Sequence, residues 1–292
     1  MKEITILSGK GGTGKTCITA ALASIVPNAV FCDNDVDAAD LHLLLKPIIL
    51  EKHIFHGAWV ASIQQEKCTN CGICADNCRF DAISLTDKNE YEINPLLCEG
   101  CRLCERICPS AAINSTKNNN NFWYVSNTRF GTMIHAHMGP GEENSGKLVS
   151  QIRKTARDIA KAQKADFIIN DGPPGIGCTA IASITGTNKV LVVIEPSKSG
   201  WHDAARLIEL VETFNIPVFA VINKYDINIQ VSNEIEFVLK NIGIPLIAKI
   251  PFSETMIEAL IQEKTITELN SKSEISCLIR EIWKTLSNEL NR

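Results

Sequence analysis

The stretch that decides the fold is Glu3-Ile-Thr-Ile-Leu-Ser-Gly-Lys-Gly-Gly-Thr-Gly-Lys-Thr16. It opens with a short apolar run typical of a buried strand, passes through the pattern G-x-x-x-x-G-K-T, and continues into a helical stretch to about Val26. Glycines let the backbone turn tightly, so that its N–H groups converge on phosphate oxygens at the positive end of the following helix. Lys15 is predicted to bridge the terminal phosphates, and the Thr16 hydroxyl to ligate Mg²⁺. The predicted phosphate-binding residues are Gly9, Lys10, Gly11, Gly12, Thr13, Gly14, Lys15, Thr16 and Cys17.

Beyond this loop, short β-rich runs alternate with helical patterns. The predicted strands are Asp166–Asn170, Lys189–Ile194, Val218–Ile222 and Leu246–Ile250. The predicted helices are Gly146–Ala165, Trp201–Phe214, Ser232–Asn241, Glu254–Lys264 and Glu274–Leu290. Such alternation predicts an α/β fold with a doubly wound, mostly parallel sheet that binds ligands at the carboxyl ends of its strands.

The overall composition is that of an ordinary globular protein. The chain has 292 residues, of which 45% are hydrophobic and 21% charged, enough for one large domain or two smaller ones. Its formal net charge of −4 gives no basic field for nucleic acid or anionic membrane. The amino-terminal strand carries no signal-peptide pattern, and no apolar run approaches the ~20 residues that span a bilayer. We therefore expect a cytoplasmic protein with no nucleic acid and no stable membrane insertion.

The cysteines are unusually numerous and unusually clustered. Eight of the twelve lie between Cys68 and Cys108. The segment CTNCGICADNCRFDAI, residues 68–83, matches CEGCRLCERICPSAAI, residues 98–113, at every cysteine and at the closing Ala-Ile. In a reducing cytoplasm, clustered cysteines indicate metal binding more often than disulfides.

This duplicated segment interrupts the α/β pattern. The alternation breaks between about residues 58 and 115, and the Asn tract at 118–121 that follows is typical of a linker. We therefore expect a small α+β insert at 58–115, lodged in a discontinuous domain made of residues 1–57 and 116–292.

Each repeat carries the spacing C-x₂-C-x₂-C-x₃-C. Two-residue gaps let three thiolates converge on one iron–sulfur cubane, while the fourth cysteine turns toward the other cluster. This is the pattern of bacterial two-cluster ferredoxins, and it predicts two 4Fe–4S clusters, with structural zinc as the alternative. Pro109 follows the second motif as in that pattern, whereas Arg79 follows the first. The first predicted ligand set is Cys68, Cys71, Cys74 and Cys108, and the second is Cys98, Cys101, Cys104 and Cys78.

Acidic residues follow two of the predicted strands. Asp33 and Asp35 belong to a run of four aspartates within eight positions, which would repel one another without a nearby cation. Asp171 ends an apolar strand before a Pro/Gly turn, where a carboxylate holds a Mg²⁺-bound water. Thr16 and Asp171 are therefore predicted to hold Mg²⁺.

The loop G-K-G-G-T-G-K-T resembles the deviant Walker A motif of the MinD/ParA superfamily of P-loop ATPases. That resemblance implies that Lys10 reaches across a nucleotide-sandwich dimer to the partner's phosphates. It also implies that Asp33 lies near the metal, that Asp35 positions the attacking water, and that Asp171 belongs to a switch that moves when the γ-phosphate leaves. The predicted catalytic residues are Lys10, Lys15, Asp35 and Asp171.

The base-binding residues are predicted from the ends of two further strands. Asn223-Lys-Tyr-Asp226 fits the guanine-reading pattern N-K-x-D, but in the MinD-like family the same place supplies an Asn to adenine. Pro251 resembles the family's base-stacking turn. We predict ATP, with Asn223 and Pro251 at the base, and GTP stays open as the alternative.

Predictions can also be made for four isolated cysteines, for two histidines and for the last helix. Cys178 lies seven residues after Asp171, and both a buried inert thiol and a redox or partner-contact role stay open for it. Cys17, Cys32 and Cys277 are expected to be core thiols. His135 and His137 are expected at the surface, with a metal site as the alternative. The apolar stripe of the last helix, residues 274–290, predicts packing on the sheet rather than on lipid.

Two functions from different classes fit these patterns. The first is an ATPase that couples a nucleotide-driven dimer switch to electron transfer through two 4Fe–4S clusters. The second is a maturation factor for metal or iron–sulfur cluster assembly in a client. Both imply a homo- or heterodimer with a similar ATPase subunit and a redox or metalloprotein client. A third, spatial positioning as in MinD or ParA, leaves the cysteines unexplained.

Overall fold

The computed structural model describes residues 1–57, 59–117, 121–139 and 145–289 of the chain. Three parts of the sequence predictions lie outside these ranges. They are Ala58 at the start of the predicted insert, most of the Asn tract (118–120), and Leu290 at the end of the last helix.

Strands and helices alternate along the described residues. The strands are β1 Lys2–Ser8, β2 Ala29–Asp33, β3 Ile48–Phe55, β4 Trp59–Ile63, β5 Ile83–Leu85, β6 Tyr91–Ile93, β7 Ile113–Lys117, β8 Asn121–Thr128, β9 Gly131–His137, β10 Phe167–Pro174, β11 Lys189–Ile194, β12 Val218–Asn223 and β13 Leu246–Ile250. The helices are α1 Lys15–Ala23, α2 Leu41–Leu45, α3 Ile73–Asp76, α4 Leu103–Ile107, α5 Ser145–Gln163, α6 Cys178–Ile184, α7 Lys198–Thr213, α8 Ile229–Asn241, α9 Glu254–Ile261, α10 Ile266–Leu269 and α11 Glu274–Glu289. Short 3₁₀ turns occupy Gln65–Lys67 and Tyr225–Asn228.

A nine-stranded sheet organises the fold, in the order β13-β12-β11-β1-β10-β2-β9-β8-β3. Every pairing from β13 to β9 is parallel. The prediction of a mostly parallel α/β sheet is therefore confirmed. The carboxyl ends of β1, β2, β10 and β12 meet at one edge of this sheet, where the predicted nucleotide-binding residues lie.

Helices cover both faces of the sheet. Within β11, Leu191 and Val193 belong to one apolar cluster, and Val190, Val192 and Ile194 belong to the other. The first cluster is completed by α1 and α11, the second by α7 and α8. The sheet is therefore doubly wound. The last helix packs as predicted, because its stripe of Ile275, Ile279, Ile282 and Leu286 is buried in the first cluster.

A network of buried charges lies beneath β1 and β10. The Glu3 carboxylate accepts hydrogen bonds from Asn170 Nδ2 at 2.8 Å, from Arg153 Nε at 2.9 Å and from Arg157 Nε at 2.7 Å. Arg153 also donates to the carbonyl of Thr185 at 3.0 Å, next to the end of α6. The network therefore joins the sheet to α5 and to the segment after α6.

The structure departs from the predicted elements in several places. The strand predicted at 166–170 continues to Pro174, because the Pro/Gly segment stays extended beside β1. Helix α1 ends at Ala23 rather than Val26, since Pro27 disfavours helix in the residue before it. Strands β3, β8 and β9, which the sequence analysis did not predict, lengthen one edge of the sheet.

Over the described residues the chain forms two compact units. The larger comprises Met1–Lys52, Tyr124–Ala136 and Gly146–Arg292, and the smaller comprises His53–Trp123 and His137–Ser145. The smaller unit holds α3, α4 and two antiparallel pairs, β4-β7 and β5-β6. Within the described parts of both units, each helix is too short or too polar to cross a bilayer.

Candidate functional site

The phosphate loop joins the end of β1 to the start of α1. Gly12 and Gly14 have φ of +80° and +89°, in the left-handed region that favours glycine. A Cβ on Gly14 would also lie 2.4 Å from Asn223 Nδ2. The first turn of α1 carries no acidic residue, so its positive end is left for an anion.

A cleft of about 490 Å³ opens in front of this loop. It brings together most of the predicted nucleotide site: residues 11–17, Asp35, Asn223 and Pro251 line it. Four other predicted residues, Gly9, Lys10, Asp33 and Asp171, do not line it.

Asp171 is the most heavily hydrogen-bonded carboxylate of the cleft region. It is 1% exposed and accepts hydrogen bonds from Lys15 Nζ at 3.1 Å, Thr16 Oγ1 at 2.7 Å and Thr19 Oγ1 at 2.9 Å. The predicted Mg²⁺ residues Thr16 and Asp171 are therefore in direct contact. Thr19 was missed by the sequence analysis, although it lies one helical turn after Lys15.

Charges crowd around the Lys15 ammonium. Its Nζ lies 3.6 Å from Asp35 Oδ2, in addition to its contact with Asp171. Burial acts to lower the pKa of Lys15, but the attraction of Asp171, Asp35 and Asp33 outweighs burial and raises that pKa. Burial raises the pKa of Asp35 to about 6 against the opposing effect of Lys15. The pocket is thus arranged around a lysine that stays cationic.

Asp33 is fully buried at the end of β2. Its Oδ1 accepts a hydrogen bond from the Asp35 amide and its Oδ2 one from the Leu41 amide, both at 3.2 Å. Burial and the nearby Asp171 raise its pKa well above the usual range. In this structure the Asp33 carboxylate holds the backbone of the acidic segment through these two hydrogen bonds. Its place beside Mg²⁺ stays a prediction.

Lys10 lies outside the cleft and points toward the start of α7. Its Nζ lies 2.9 Å from Glu195 Oε2 and 3.5 Å from Ser197 Oγ. The other oxygen of Glu195 lies 3.8 Å from Lys224 Nζ. The sequence analysis found no role for Glu195.

The ends of β12 and β13 form the side of the cleft where the nucleotide base is predicted to bind. Asn223 Nδ2 donates to the Thr13 carbonyl at 2.7 Å, so this side chain also holds the loop. Asp226 Oδ1 accepts the Phe252 amide proton at 2.7 Å, and Phe252, 45% exposed, lines the cleft. The last residue of N-K-x-D is therefore bonded to the turn that follows β13.

The cysteines of the smaller unit line two recesses. One is lined by Cys68, Cys71, Cys74 and Cys108, and the other by Cys98, Cys101, Cys104, Cys78 and, again, Cys74. All twelve cysteines of the chain are free thiols. No group of three or more His, Cys, Asp or Glu among the described residues is placed to hold a single metal ion.

The two repeats also adopt the same local backbone. Gly72 precedes α3 with φ +75°, and Arg102, at the matching position, precedes α4 with φ +61°. The Arg102 guanidinium lies 4.3 Å from the Trp59 ring centroid and its Nε is 2.8 Å from Glu105. Gly100 is required because a Cβ there would lie 2.3 Å from the Trp59 carbonyl oxygen.

Two expectations for isolated residues were wrong. Cys277 is exposed, because it lies on the outer face of α11. His135 is buried, with Nε2 2.9 Å from Ser126 Oγ and its ring against Tyr124, since β9 lies inside the sheet. His137 is exposed as expected.

The other three isolated cysteines differ in burial. Cys32 is buried as expected, and burial raises its pKa well above the usual value. Cys17 is half-buried at the start of α1. Cys178 is exposed at the start of α6, which leaves its thiol accessible.

Comparisons with known proteins identify a family and several similar proteins for this chain. Residues 4–266 match the family model described as the CobQ/CobB/MinD/ParA nucleotide binding domain. An uncharacterized protein of Methanocaldococcus jannaschii is 33% identical over 290 residues, which cover 97% of this chain and 96% of the relative. An iron-sulfur cluster carrier protein of Rickettsia felis is 26% identical over 126 residues, which cover 42% of this chain and 39% of that protein.

A solved structure with the same fold is the septum site-determining protein MinD from Pyrococcus horikoshii OT3, complexed with Mg-ADP. It superposes with a TM-score of 0.59 at 17% identity, covering 98% of this chain and 95% of that one. Because the family match runs from β1 to the first residue of α10 and includes the phosphate loop, this chain belongs to the CobQ/CobB/MinD/ParA family of nucleotide-binding domains.

Proposed function

We propose that this protein is an ATPase whose nucleotide-driven dimerisation controls electron transfer, through two 4Fe–4S clusters, to a partner protein. The observation that carries the proposal is the pair of cysteine recesses. Each contains all four cysteines that the C-x₂-C-x₂-C-x₃-C pattern assigns to one cluster, including the fourth from the other repeat.

The choice of ATP over GTP is supported by Asp226. In the guanine-reading use of N-K-x-D, the aspartate must accept hydrogen bonds from the base. Here one Asp226 oxygen already accepts the Phe252 amide proton. Phe252 and Pro251 then offer an apolar surface to the base, which suits adenine.

Hydrolysis is assigned to the residues around Lys15. On entry of Mg·ATP, the Lys15 ammonium would exchange its contacts with Asp35 and Asp171 for phosphate oxygens. Asp35, freed on the cleft wall, would orient a water for attack on the γ-phosphorus, breaking the bond to ADP and releasing phosphate. Asp171 and Thr16, in contact with each other, would hold Mg²⁺ and its water.

The dimer is assigned to Lys10 and its surroundings. Lys10 belongs to the loop but lies outside the cleft. Inside the cleft, Lys15 is already placed to bind the phosphates. A second lysine at that position is available to a nucleotide held by another copy or by a similar subunit, as the family resemblance implies.

The cysteine recesses fit iron–sulfur clusters better than a single ion. Around one zinc ion at about 2.3 Å, four thiolate sulfurs come within about 4 Å of one another. The described residues offer no such tight group, whereas four sulfurs around a recess suit a cubane that takes one thiolate at each iron. Bound there, such clusters would take up and release single electrons at low potential. Cys74 lines both recesses, so the two sites are close neighbours.

Anaerobic reconstitution tests the proposal directly. We expect ~8 irons and ~8 sulfides per chain, with a reducible 4Fe–4S signal in electron paramagnetic resonance. Cys104→Ser should lose at least half of the iron, whereas Cys178→Ser, an exposed thiol outside the recesses, should keep it all. A colourless, zinc-loaded protein would contradict the proposal.

A second candidate function is a maturation factor that delivers metal or clusters to a client. It is favoured by the partial similarity to iron-sulfur cluster carrier proteins. The two functions differ in the fate of the iron. Radiolabelled ⁵⁵Fe that stays on the chain through many ATP turnovers with an apo-protein acceptor supports electron transfer, whereas transfer of the label supports maturation.

A further inference from the structure

The two cysteine recesses of the smaller unit present similar sets of thiols. We call the first recess the one that contains Cys68, Cys71, Cys74 and Cys108, and the second recess the one that contains Cys98, Cys101, Cys104 and Cys78. Each set has one exposed cysteine, Cys71 or Cys101, and three half-buried ones. The exposure of the thiols is therefore similar in the two recesses.

The segments after the fourth cysteine of each repeat have the same backbone but different side chains. Pro-Ser-Ala-Ala follows Cys108, whereas Arg-Phe-Asp-Ala follows Cys78. Both segments turn through a residue of positive φ, Ala111 at +49° and Asp81 at +50°. The turn after Cys108 is the tighter one, because the amide of Ala111 donates to the Cys108 carbonyl at 3.2 Å, against 3.5 Å for the matching pair.

Two groups contact the Cys108 sulfur in this tighter turn. The Ala112 amide donates to Cys108 Sγ at 3.3 Å, and Ser110 Oγ lies 3.6 Å from the same sulfur. When that sulfur is an iron-bound thiolate, the serine hydroxyl is the donor, because a thiolate has no proton to give. In the other repeat Phe80 stands where Ser110 does, and among the described residues no hydrogen bond reaches the Cys78 sulfur.

The first cysteine of each repeat differs in the same direction. Cys68 Sγ lies 3.5 Å from the side-chain amide of Asn70, through Oδ1. Beside a thiolate this amide would turn its NH₂ group to the sulfur, since only that end can donate. The matching residue of the second repeat is Gly100, which has no side chain.

Charged side chains do not reverse this difference. Among its described lining residues the first recess has no charged side chain other than its thiols, whereas the second has Glu99 and Arg102. The Arg102 guanidinium is already paired with Glu105 at 2.8 Å. Arg79 is exposed and lines neither recess. Hydrogen-bond donors are therefore the main difference between the two recesses.

A hydrogen bond to a ligating sulfur stabilises the more negative, reduced form of a cluster, and such bonds help to set its reduction potential. We propose that Ser110 and the Ala112 amide, acting through Cys108, give the first recess the higher potential, so that a single electron from a low-potential donor resides there rather than in the second recess. The inference rests on the two clusters of the proposed function. We expect the electron to favour the first recess about tenfold, which is about 59 mV for a one-electron couple.

Titration of the reconstituted, unmodified chain with dithionite tests the order of reduction. The hyperfine-shifted β-proton signals of the ligating cysteines, followed by nuclear magnetic resonance, report which cluster holds the electron. At one electron per chain, we expect the signals of the first-recess cysteines to reach their reduced positions, while those of the second-recess cysteines stay mostly at their oxidised ones.

The other outcomes of this titration separate the inference from the proposed function. Equal sharing of the electron, or reduction of the second recess first, overturns the inference and leaves the proposed function standing. A chain that binds no iron overturns both.

Substitution of Ser110 tests its own part in this difference. Ser110→Ala should lower the preference for the first recess about two- to threefold, because one donor to Cys108 is lost and the Ala112 amide remains. Ser110→Thr, which keeps the hydroxyl, should retain the preference. Ser84→Ala is the control, because it removes an exposed hydroxyl of β5 that lines neither recess. An unchanged preference in Ser110→Ala overturns the role given to Ser110.

Discussion

The phosphate site and the cysteine unit are stabilised in different ways. The phosphate site lies on a sheet with a large apolar cluster on each face, and its central carboxylate, Asp171, accepts three hydrogen bonds from neighbouring side chains. In the smaller unit, by contrast, the buried apolar residues among those described are few. They are Ala61, Ala82, Ile83, Ala112, Ile113 and Met138.

This difference indicates where each region gets its stability. The larger unit buries enough apolar surface to hold its site without a ligand. A small unit with only six buried apolar side chains among its described residues, three of them alanines, needs further links between its segments. Metal–thiolate bonds supply such links in many proteins of this size. We therefore expect the cysteine unit, but not the phosphate site, to depend on the proposed clusters for folding.

Removal of the proposed clusters should unfold the smaller unit. After anaerobic chelation, amide hydrogen exchange should accelerate ~100-fold or more across residues 68–113, because thiolate ligation is lost. Exchange in α1 and α11 should be unchanged. Exchange mass spectrometry before and after chelation measures both. Equal protection of residues 68–113 in the two samples would contradict the dependence on metal.

Loss of Asp35, which is proposed to position the attacking water, should affect the phosphate site and leave the cysteine unit unchanged. Asp35→Asn should lower ATP hydrolysis about 10²- to 10⁴-fold, since the amide cannot act as a base, while iron content stays the same. Phosphate release, with ATP binding followed by a fluorescent analogue, provides the measurement. Asp37→Asn is the control, because Asp37 is exposed and does not line the cleft. A similar loss in both variants would argue against the assigned role.

The buried charge network should make the larger unit sensitive to one substitution. Glu3→Gln leaves Arg153, which is 3% exposed, without its carboxylate and should lower the free energy of unfolding by about 3 kcal/mol. Urea denaturation followed by tryptophan fluorescence measures the change. Replacement of the exposed Glu209 should cost less than ~0.5 kcal/mol. If Glu3→Gln also lowered the free energy of unfolding by less than ~0.5 kcal/mol, the network would contribute little to stability.

A smaller effect is expected from pH. Burial, with a contribution from His42, lowers the pKa of His135 from 6.5 to about 4. Between pH 6.5 and 4 the unfolded chain binds a proton there that the folded chain does not, so this residue makes stability fall as pH falls through that window. His135→Gln should remove ~1–2 kcal/mol of the difference in unfolding free energy between pH 7 and pH 5.

The exposed His137 provides the control for that measurement. Its replacement by Gln should leave the difference between the two pH values unchanged. If His135→Gln lost as much stability between pH 7 and pH 5 as the unmodified chain, the loss would come from other titratable groups.

Local patterns were enough to predict most of the architecture. The phosphate loop and the apolar runs of β11 to β13 are dictated by near neighbours in sequence, and they were placed within a few residues. Strands β8 and β9 were missed because their burial comes from the sheet around them. His135 was misplaced for the same reason.

Parts of the candidate site were beyond prediction because they are tertiary contacts. The bonds of Glu195 to Lys10 and of Asp226 to the Phe252 amide join residues far apart in the chain. By contrast, the grouping of the cysteines around two recesses was expected from their spacing alone, since the repeat pattern assigns the fourth cysteine of each half to the other predicted cluster.

That crossing, with Cys74 on the wall shared by both recesses, has a consequence for how the module is built. In the proposed arrangement each cluster takes its fourth ligand from the other half, so the first cluster to form would hold both halves in place for the second. Loading should therefore be all-or-none. A titration with limiting iron and sulfide should yield empty and fully loaded molecules, with few chains that carry a single cluster.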